Sequence, residues 1–176
     1  MAKIRNYSDN QHIELEGNVT SYVCGPTVYG SVHIGNIRPI LTMDIFANAL
    51  KASGMDMNLV HNITDIDDKI IQKSIDANMT EKEVSEKYTA EYLDILKELN
   101  INNITQTPKV TDYISQMHDV ISQLIEKGFA YEVNGSVYFR VGKIDTYGLQ
   151  HKVTNNEHDH DEAPNADKEN HIDFAL

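Results

Sequence analysis

Cysteine is nearly absent from this chain of 176 residues, which contains only Cys24. One thiol cannot build a disulfide framework, so the composition favours a reducing, cytoplasmic setting. Long apolar runs are also missing, because no stretch approaches the roughly 18 apolar residues of a membrane-spanning helix. The first residues lack the apolar core of a signal peptide. We therefore expect neither a membrane protein nor a secreted one.

Positive charge is scarce as well. The chain has 15 Lys and Arg against 27 Asp and Glu, a formal net charge of -12. Such a surface repels polyphosphate at long range, so a nucleic-acid partner would need a local basic patch or another region. The length and the 40% hydrophobic fraction are ordinary for a globular domain with a real core.

The first half of the chain predicts a strand, a helix and a second strand. Residues 21–25 form a short apolar run that stops at Gly25-Pro26, and 57–63 is a second strand candidate. Between them, apolar residues recur at helical spacing from 34 to 53, with Pro39 in the first turn, where it is tolerated. This order predicts a βαβ unit with a parallel sheet.

The second half predicts further helices and a hairpin. Thr80 to Glu83 form a capping box that opens a helix, 101–109 is predicted to be a loop, and 130–141 alternates around Asn134-Gly135 as a β-hairpin does. Another helix is predicted from 111 to 127, with these apolar residues facing inward: Ile114, Met117, Ile121, Leu124 and Ile125. We expect a half-domain at 1–100, helix and hairpin at 101–148, and an acidic flexible loop with a truncated strand at 149–176.

The stretch YVCGPTVYGSVHIGN at 22–36 carries the chemistry. A strand ending near Cys24 and a helix beginning near Gly35 place both at the carboxyl edge of the sheet, where α/β proteins bind ligands. The helix start suits phosphate, Gly35 permits a nucleotide to approach closely, and His33 and Asn36 can donate hydrogen bonds. Cys24 could give a thiolate to a metal. Taken singly, His33 could be a capping or core histidine and Cys24 a buried spacer.

These motifs resemble those of cysteinyl-tRNA synthetases, which are class I aminoacyl-tRNA synthetases. The resemblance runs through 22–36, HNITDIDDKII at 61–71, KGFAYEVNGSVYFRV at 127–141 and the closing DFAL. HIGN corresponds to the family's HIGH-type ATP motif, and NITDIDDK is a hallmark of this family. The resemblance implies an α/β fold with a Rossmann-like parallel sheet, the class I catalytic half, and an appended helical and β-hairpin connective region.

The resemblance implies a pocket for cysteine. Cys24 would be the first protein ligand of a Zn²⁺ ion that binds the thiolate of the substrate. Because zinc prefers sulfur to a hydroxyl oxygen, such a site would separate cysteine from serine. Thr64 would line the substrate pocket, and Gly25 and Thr27 would help to shape it.

The resemblance also implies an ATP site and a reaction. His33, Gly35 and Asn36 would bind ATP, which arrives with Mg²⁺ as a substrate, and His33 and Asn36 would stabilise its phosphates. The cysteine carboxylate would attack the α-phosphate, giving cysteinyl-adenylate and pyrophosphate. The cysteinyl group would then pass to tRNA(Cys), which would be bound through regions absent from this chain.

The sequence departs from the family in several places. The family's other zinc ligands, its KMSKS-type lysine loop and its anticodon-binding domain lie beyond the DFAL-like segment, and Gly30 replaces a common acidic or amide residue. One thiolate cannot hold zinc, which takes three or four protein ligands. We therefore expect an incomplete amino-terminal portion that is inactive alone. A split enzyme, a non-catalytic nucleotide- or partner-binding relative and a cysteine:amino-sugar ligase remain open.

Two acidic clusters suggest metals. Asp65, Asp67 and Asp68 could bind magnesium, but we favour caps and solvated groups at a helix start. The run EHDHDE contains His158 and His160 among carboxylates. In a polar loop it is expected to bind metal weakly at most.

Overall fold

The computed structural model of the chain describes residues 2–6, 10–148 and 168–176. The chain divides into two units, and the first comprises 2–5 and 12–113 of the described residues. It begins with an antiparallel pair of strands, β1 (Ala2–Arg5) and β2 (His12–Leu15), which sequence reasoning did not predict.

A parallel sheet of three strands forms the centre of the first unit. β3 (Val19–Val23) is followed by helix α1 (Ile34–Ala52) and by β4 (Met57–His61), which pairs with β3 in parallel. The predicted strand–helix–strand unit is therefore confirmed. β4 pairs on its other side with a third strand, β5 (Ile104–Gln106), so the strand order is β3-β4-β5.

The prediction of a loop over 101–109 was wrong, because β5 lies inside that segment. β5 is only three residues long, and only Ile104 among them is partly buried. So short a strand has too little apolar alternation to be recognised locally. Its position depends on pairing with β4, which is distant in sequence.

Two helices complete the first unit, and each begins with a side-chain cap. α2 (Asp68–Ala77) is capped by Asp67, whose carboxylate accepts a hydrogen bond from the N–H of Lys69 at 2.9 Å. α3 (Glu81–Glu98) is capped by Thr80 in a reciprocal capping box, as predicted. Because Thr80 donates two hydrogen bonds to the carboxylate of Glu83, the pKa of that carboxyl lies below its usual value.

The core of this unit lies between the sheet and the three helices. Aliphatic side chains from α1, β4, α2 and α3 meet there, together with the fully buried ring of Tyr92. Its buried members are Val28, Ile37, Ile40, Leu59, Ile63, Ile70, Val84, Tyr92, Leu96 and Ile101. This packing fixes the carboxyl edge of the sheet, where the predicted site lies.

The second unit is built mainly from 114–148 and 168–176. A 3₁₀ turn at Val110–Tyr113 leads into α4 (Ile114–Glu126), and another 3₁₀ turn follows the hairpin at Val141–Lys143. The hairpin strands are β6 (Ala130–Val133) and β7 (Ser136–Phe139), joined through Asn134 and Gly135 at φ of 50° and 81°. This is the predicted two-residue turn, since both central residues have positive φ.

The closing DFAL segment contains the strand that the sequence predicted. β8 (Phe174–Ala175) pairs antiparallel with β7. Asp173 is buried and holds this strand in place, accepting hydrogen bonds from the hydroxyl of Tyr131 at 2.9 Å and the N–H of Val141 at 3.0 Å. The helix and hairpin of the appended region are thus confirmed, while the division at residues 100 and 148 stays a prediction.

The expected inward face of α4 was only partly correct. Ile114, Met117 and Ile125 are 38%, 38% and 39% exposed. The helix packs against β6, and Ile121 and Leu124 are its half-buried members. Helical spacing identifies an apolar stripe, but it does not show how much of that stripe another element covers. Among the described helices, none is long and apolar enough to cross a membrane.

Candidate active site

The first turn of α1 is built by the motif His33-Ile34-Gly35-Asn36. His33 is the N-cap residue, and its Nδ1 accepts a hydrogen bond from the N–H of Gly35 at 3.0 Å. In return, Oδ1 of Asn36 accepts from the N–H of His33 at 3.0 Å. The two side chains thus form a capping box, and the capping interpretation of His33 is confirmed.

Gly35 lies directly against the ring of His33. A Cβ atom at Gly35 would lie 2.6 Å from Cε1 and 2.9 Å from Nδ1 of that ring. Any larger residue would push the imidazole away from the helix start. Close approach of a nucleotide at Gly35 stays a prediction, because the glycine already has this steric reason to be present.

The capping geometry fixes the tautomer of a neutral His33. A backbone N–H can only donate, so Nδ1 must be the accepting nitrogen and the ring hydrogen sits on Nε2. His33 is exposed, and α1 has no acidic residue in its first turn. The Nε2–H group therefore remains available as a donor beside the positive end of a helix dipole, a combination that favours an anion.

The segment after β3 is held against the segment after β4. Cys24 is exposed, so the interpretation of it as a buried spacer is wrong. The N–H of Gly25 donates to Oδ1 of Asn62 at 2.7 Å. A Cβ atom at Gly25 would lie 1.5 Å from the carbonyl oxygen of Asn62, so only glycine permits this approach.

Thr27 and Thr64 continue the parallel pairing beyond the ends of β3 and β4. They form an isolated parallel bridge, with the N–H of Thr64 donating to the carbonyl of Pro26 and the N–H of Val28 donating to the carbonyl of Thr64, both at 3.1 Å. Both threonines are half-buried. The structure therefore brings three predicted pocket residues, Gly25, Thr27 and Thr64, to one edge of the sheet.

A buried histidine forms hydrogen bonds next to this edge of the sheet. His61 ends β4 and is 1% exposed, and its Nδ1 lies 3.0 Å from the carbonyl oxygen of Val23, the residue before Cys24. That carbonyl can only accept, so Nδ1 carries the hydrogen and Nε2 accepts from the hydroxyl of Tyr92 at 2.6 Å. Burial lowers the pKa of His61 and raises the pKa of Tyr92 to about 12. Both rings are therefore neutral at pH 7.

A groove lies between the end of β3 and the first turns of α1. It has a volume of about 520 Å³ and is lined by Tyr22 on the strand side and by Gly35, Arg38 and Thr42 on the helix side. Tyr22 donates to Oδ1 of Asn62 at 2.9 Å. Burial raises the pKa of its phenol, and the neighbouring Cys24 raises it further.

Two of the three acidic residues after β4, Asp65 and Asp67, have structural partners. Asp67 caps α2, and the carboxylate of Asp65 accepts from the N–H and the hydroxyl of Thr111 at 3.1 and 2.6 Å. The described residues contain no group of three His, Cys, Asp or Glu side chains that could hold a metal ion. His158 and His160, with the rest of the predicted flexible loop up to 167, lie outside the described residues.

Sequence reasoning missed three residues of this site: Tyr22, His61 and Asn62. Asn62 is the first residue of the quoted NITDIDDK motif and His61 directly precedes it, so a polar pair at the end of a buried strand was the available signal. Tyr22 precedes Cys24 by two residues and so lies on the same face of an extended strand. Only Asn62 forms hydrogen bonds with predicted residues, namely Gly25 and Thr64. Tyr22 bonds to Asn62, and His61 bonds to Val23 and Tyr92.

Comparison with known proteins supports one family. A family profile described as the catalytic domain of class I (C) tRNA synthetases matches residues 10–176. A cysteine–tRNA ligase of Lachnoclostridium phytofermentans is 48% identical over 133 residues, which are 76% of this chain and 28% of that protein. One from Mycoplasmoides gallisepticum is 44% identical over 142 residues, 80% of this chain and 32% of the relative. The chain thus spans about a third of their length.

Solved structures show the same fold at low sequence identity. A Mycobacterium tuberculosis methionyl-tRNA synthetase in complex with methionyl-adenylate aligns with a TM-score of 0.60 at 11% identity, over 70% of this chain and 29% of that one. A putative arginyl-tRNA synthetase from Campylobacter jejuni aligns with a TM-score of 0.54 at 14% identity. The alignment covers 74% of this chain and 39% of the synthetase chain. The Rossmann-like α/β architecture predicted from the sequence is therefore confirmed.

Proposed function

This chain belongs to the class I (C) tRNA synthetase catalytic-domain family, and from that premise we propose that the protein carrying it is a cysteine–tRNA ligase. The protein activates cysteine with ATP and transfers the cysteinyl group to tRNA(Cys). The observation that supports the proposal is that the connection from β3 to α1 carries both the exposed Cys24 and the His33-capped start of the helix, next to a groove lined by Tyr22, Val23 and Gly35. Because this activity is part of protein synthesis, we place the protein in the cytoplasm.

The start of α1 is proposed as the ATP-phosphate site. His33 presents Nε2–H outward because Nδ1 is used in the cap, so it donates to phosphate oxygens. Asn36 acts through the cap, holding His33 in place with its side-chain oxygen. As the cysteine carboxylate attacks the α-phosphate, negative charge develops there and pyrophosphate leaves. Fixed donors stabilise that charge without having to reorganise.

The carboxyl edge beyond β3 and β4 is proposed as the cysteine site. Cys24 is exposed there, and Gly25, Thr27 and Thr64 form the adjoining backbone and wall. The family implies a zinc ion for the substrate thiolate. The described residues do not provide the three or four ligands that zinc takes, so Cys24 is one candidate ligand and the set is incomplete within them.

The test is cysteine-dependent exchange between ATP and pyrophosphate. The protein is isolated at its natural size from its own cells, and Cys24→Ser and His33→Ala are compared with His12→Ala, which removes an exposed histidine from β2. We expect His33→Ala to lower exchange by about 10²–10³-fold, as loss of one charge-stabilising donor does. His12→Ala should leave exchange unchanged.

Three results would contradict the proposal in different ways. Full exchange in both Cys24→Ser and His33→Ala would show that the site is wrongly assigned. Exchange without transfer to tRNA(Cys) would show that the protein activates cysteine for another acceptor, such as an amino sugar. Absence of exchange in the wild-type protein at its natural size would favour a non-catalytic nucleotide- or partner-binding relative.

A further inference from the structure

The side-chain amide of Asn62 contacts three different parts of the proposed cysteine site. Its Oδ1 accepts from the hydroxyl of Tyr22 at 2.9 Å and from the N–H of Gly25 at 2.7 Å. Its Nδ2 donates to Oγ1 of Thr64 at 3.2 Å. Asn62 is half-buried and directly follows β4, so its backbone is fixed by the sheet.

The orientation of this amide follows from its partners. The N–H of Gly25 is a donor only, so the Asn62 atom that faces it must be the oxygen. The nitrogen then faces Thr64, and the hydroxyl oxygen of Thr64 must accept. Because that oxygen accepts from Asn62, the hydroxyl hydrogen of Thr64 points away from Asn62 and is available to another acceptor.

We propose that Asn62 is a positioning residue that makes the Thr64 hydroxyl a hydrogen-bond donor to the bound amino acid and holds Gly25 beside it. This inference rests on the proposed function. The ammonium group of cysteine can only donate, so Thr64 pairs with the carboxylate or the thiolate. Gly25 cannot serve in this role, since its N–H is already used by Asn62.

Asn62→Asp tests the donor direction with almost no change in shape. A carboxylate keeps the acceptor for Tyr22 and Gly25 but places a second acceptor opposite Thr64. The Thr64 hydroxyl then donates its hydrogen bond to residue 62, so it can no longer donate one to the substrate. A hydrogen bond to a charged group contributes about 1.5–3 kcal/mol, so we expect the KM for cysteine to rise about 10–100-fold. The KM for ATP should stay within about twofold.

The matched control is Asn58→Asp, which adds the same charge within β4, the strand that Asn62 follows. Asn58 uses its side-chain oxygen to accept from the hydroxyl of Thr105 at 2.6 Å, and aspartate retains that acceptor. A rise in the KM for cysteine in both variants would show a charge effect and overturn the proposal. Thr64→Val supplies the double-mutant test: if Asn62 acts through Thr64, then Asn62→Asp has no further effect in the Thr64→Val protein.

A readout that does not depend on activity separates this inference from the proposed function. Hydrogen exchange at the amide of Gly25, followed by NMR, should accelerate in Asn62→Ala and remain slow in Asn62→Asp. Unchanged exchange in Asn62→Ala would overturn the positioning role even in a fully active enzyme. If the wild-type protein shows no pyrophosphate exchange, the proposed function fails, and the Gly25 amide alone decides whether Asn62 positions this edge.

Discussion

Replacing Gly25 by alanine tests whether the two strand ends at the candidate site are as close as the structure has them. The new Cβ would lie 1.5 Å from the carbonyl oxygen of Asn62, whereas real Cβ contacts are essentially never shorter than 3.0 Å. About 1.5 Å of separation must therefore be gained by moving backbone. No flexible side chain can yield, because the obstructing atom belongs to the main chain.

The expected cost has two parts. Moving the backbone strains the packing between β3 and β4, and overpacking of this kind costs about 1–3 kcal/mol. The shift also breaks the 2.7 Å hydrogen bond from the N–H of Gly25 to Oδ1 of Asn62, which contributes about 1 kcal/mol. The free energy of unfolding should therefore fall by about 2–4 kcal/mol in Gly25→Ala.

The assay is urea unfolding of this chain followed by far-ultraviolet circular dichroism, with Gly30→Ala as the matched control. Gly30 lies in the same connection between β3 and α1, has no positive φ, and has nothing within 4 Å of an added Cβ. We expect the control to stay within about 0.5 kcal/mol of the wild type. Gly25→Ala at the same stability as Gly30→Ala would refute the close approach of the two strand ends.

Two further predictions concern buried polar groups beside the sheet. The buried carboxylate of Asp44 accepts from the backbone N–H groups of Asn102 and Asn103 at 3.1 and 3.0 Å, so Asp44→Ala should lower the free energy of unfolding by about 2–4 kcal/mol. Asp44→Asn retains an acceptor, so it should lower the free energy of unfolding by less than Asp44→Ala does. Equal losses for the two variants in urea unfolding would contradict this. Because burial lowers the pKa of His61, this histidine takes up a proton at a higher pH in the unfolded chain than in the folded one. The free energy of unfolding should therefore fall as the pH drops below about 6.5. His61→Phe should flatten that slope between pH 5 and 7; an identical slope in both proteins would disprove a neutral His61 paired with Tyr92.

Local signals in the sequence predicted the elements whose boundaries are set by local chemistry. The capping box at Thr80, the two-residue turn at Asn134-Gly135 and the start of α1 at His33 all depend on residues within about four positions of one another. Each was found because a cap or a turn with positive φ restricts the residue type strongly. The predicted order of strand, helix and strand then followed.

The features that sequence reasoning missed depend on contacts between distant segments. β5 is a strand because it pairs with β4, and the carboxyl edge is organised by Asn62 contacting Tyr22 and Gly25 across about 40 positions. Met117 lies on the apolar stripe of α4 but is exposed. Helical spacing in the sequence does not show how much of such a stripe a neighbouring element covers. Resemblance to a family predicted the pocket residues, but the direction of their hydrogen bonds could be read only from the three-dimensional structure.

At this site the structural and the proposed catalytic roles of a residue are linked by hydrogen-bond direction. His33 presents a donor at Nε2 because the cap of α1 uses Nδ1 as an acceptor. Thr64 presents a donor because its oxygen accepts from Asn62, whose own oxygen is held by the N–H of Gly25. In both cases a backbone N–H, which can only donate, determines the direction of every bond that follows. A capping role for His33 is therefore no argument against a role in binding phosphate, because the cap itself turns the remaining N–H outward.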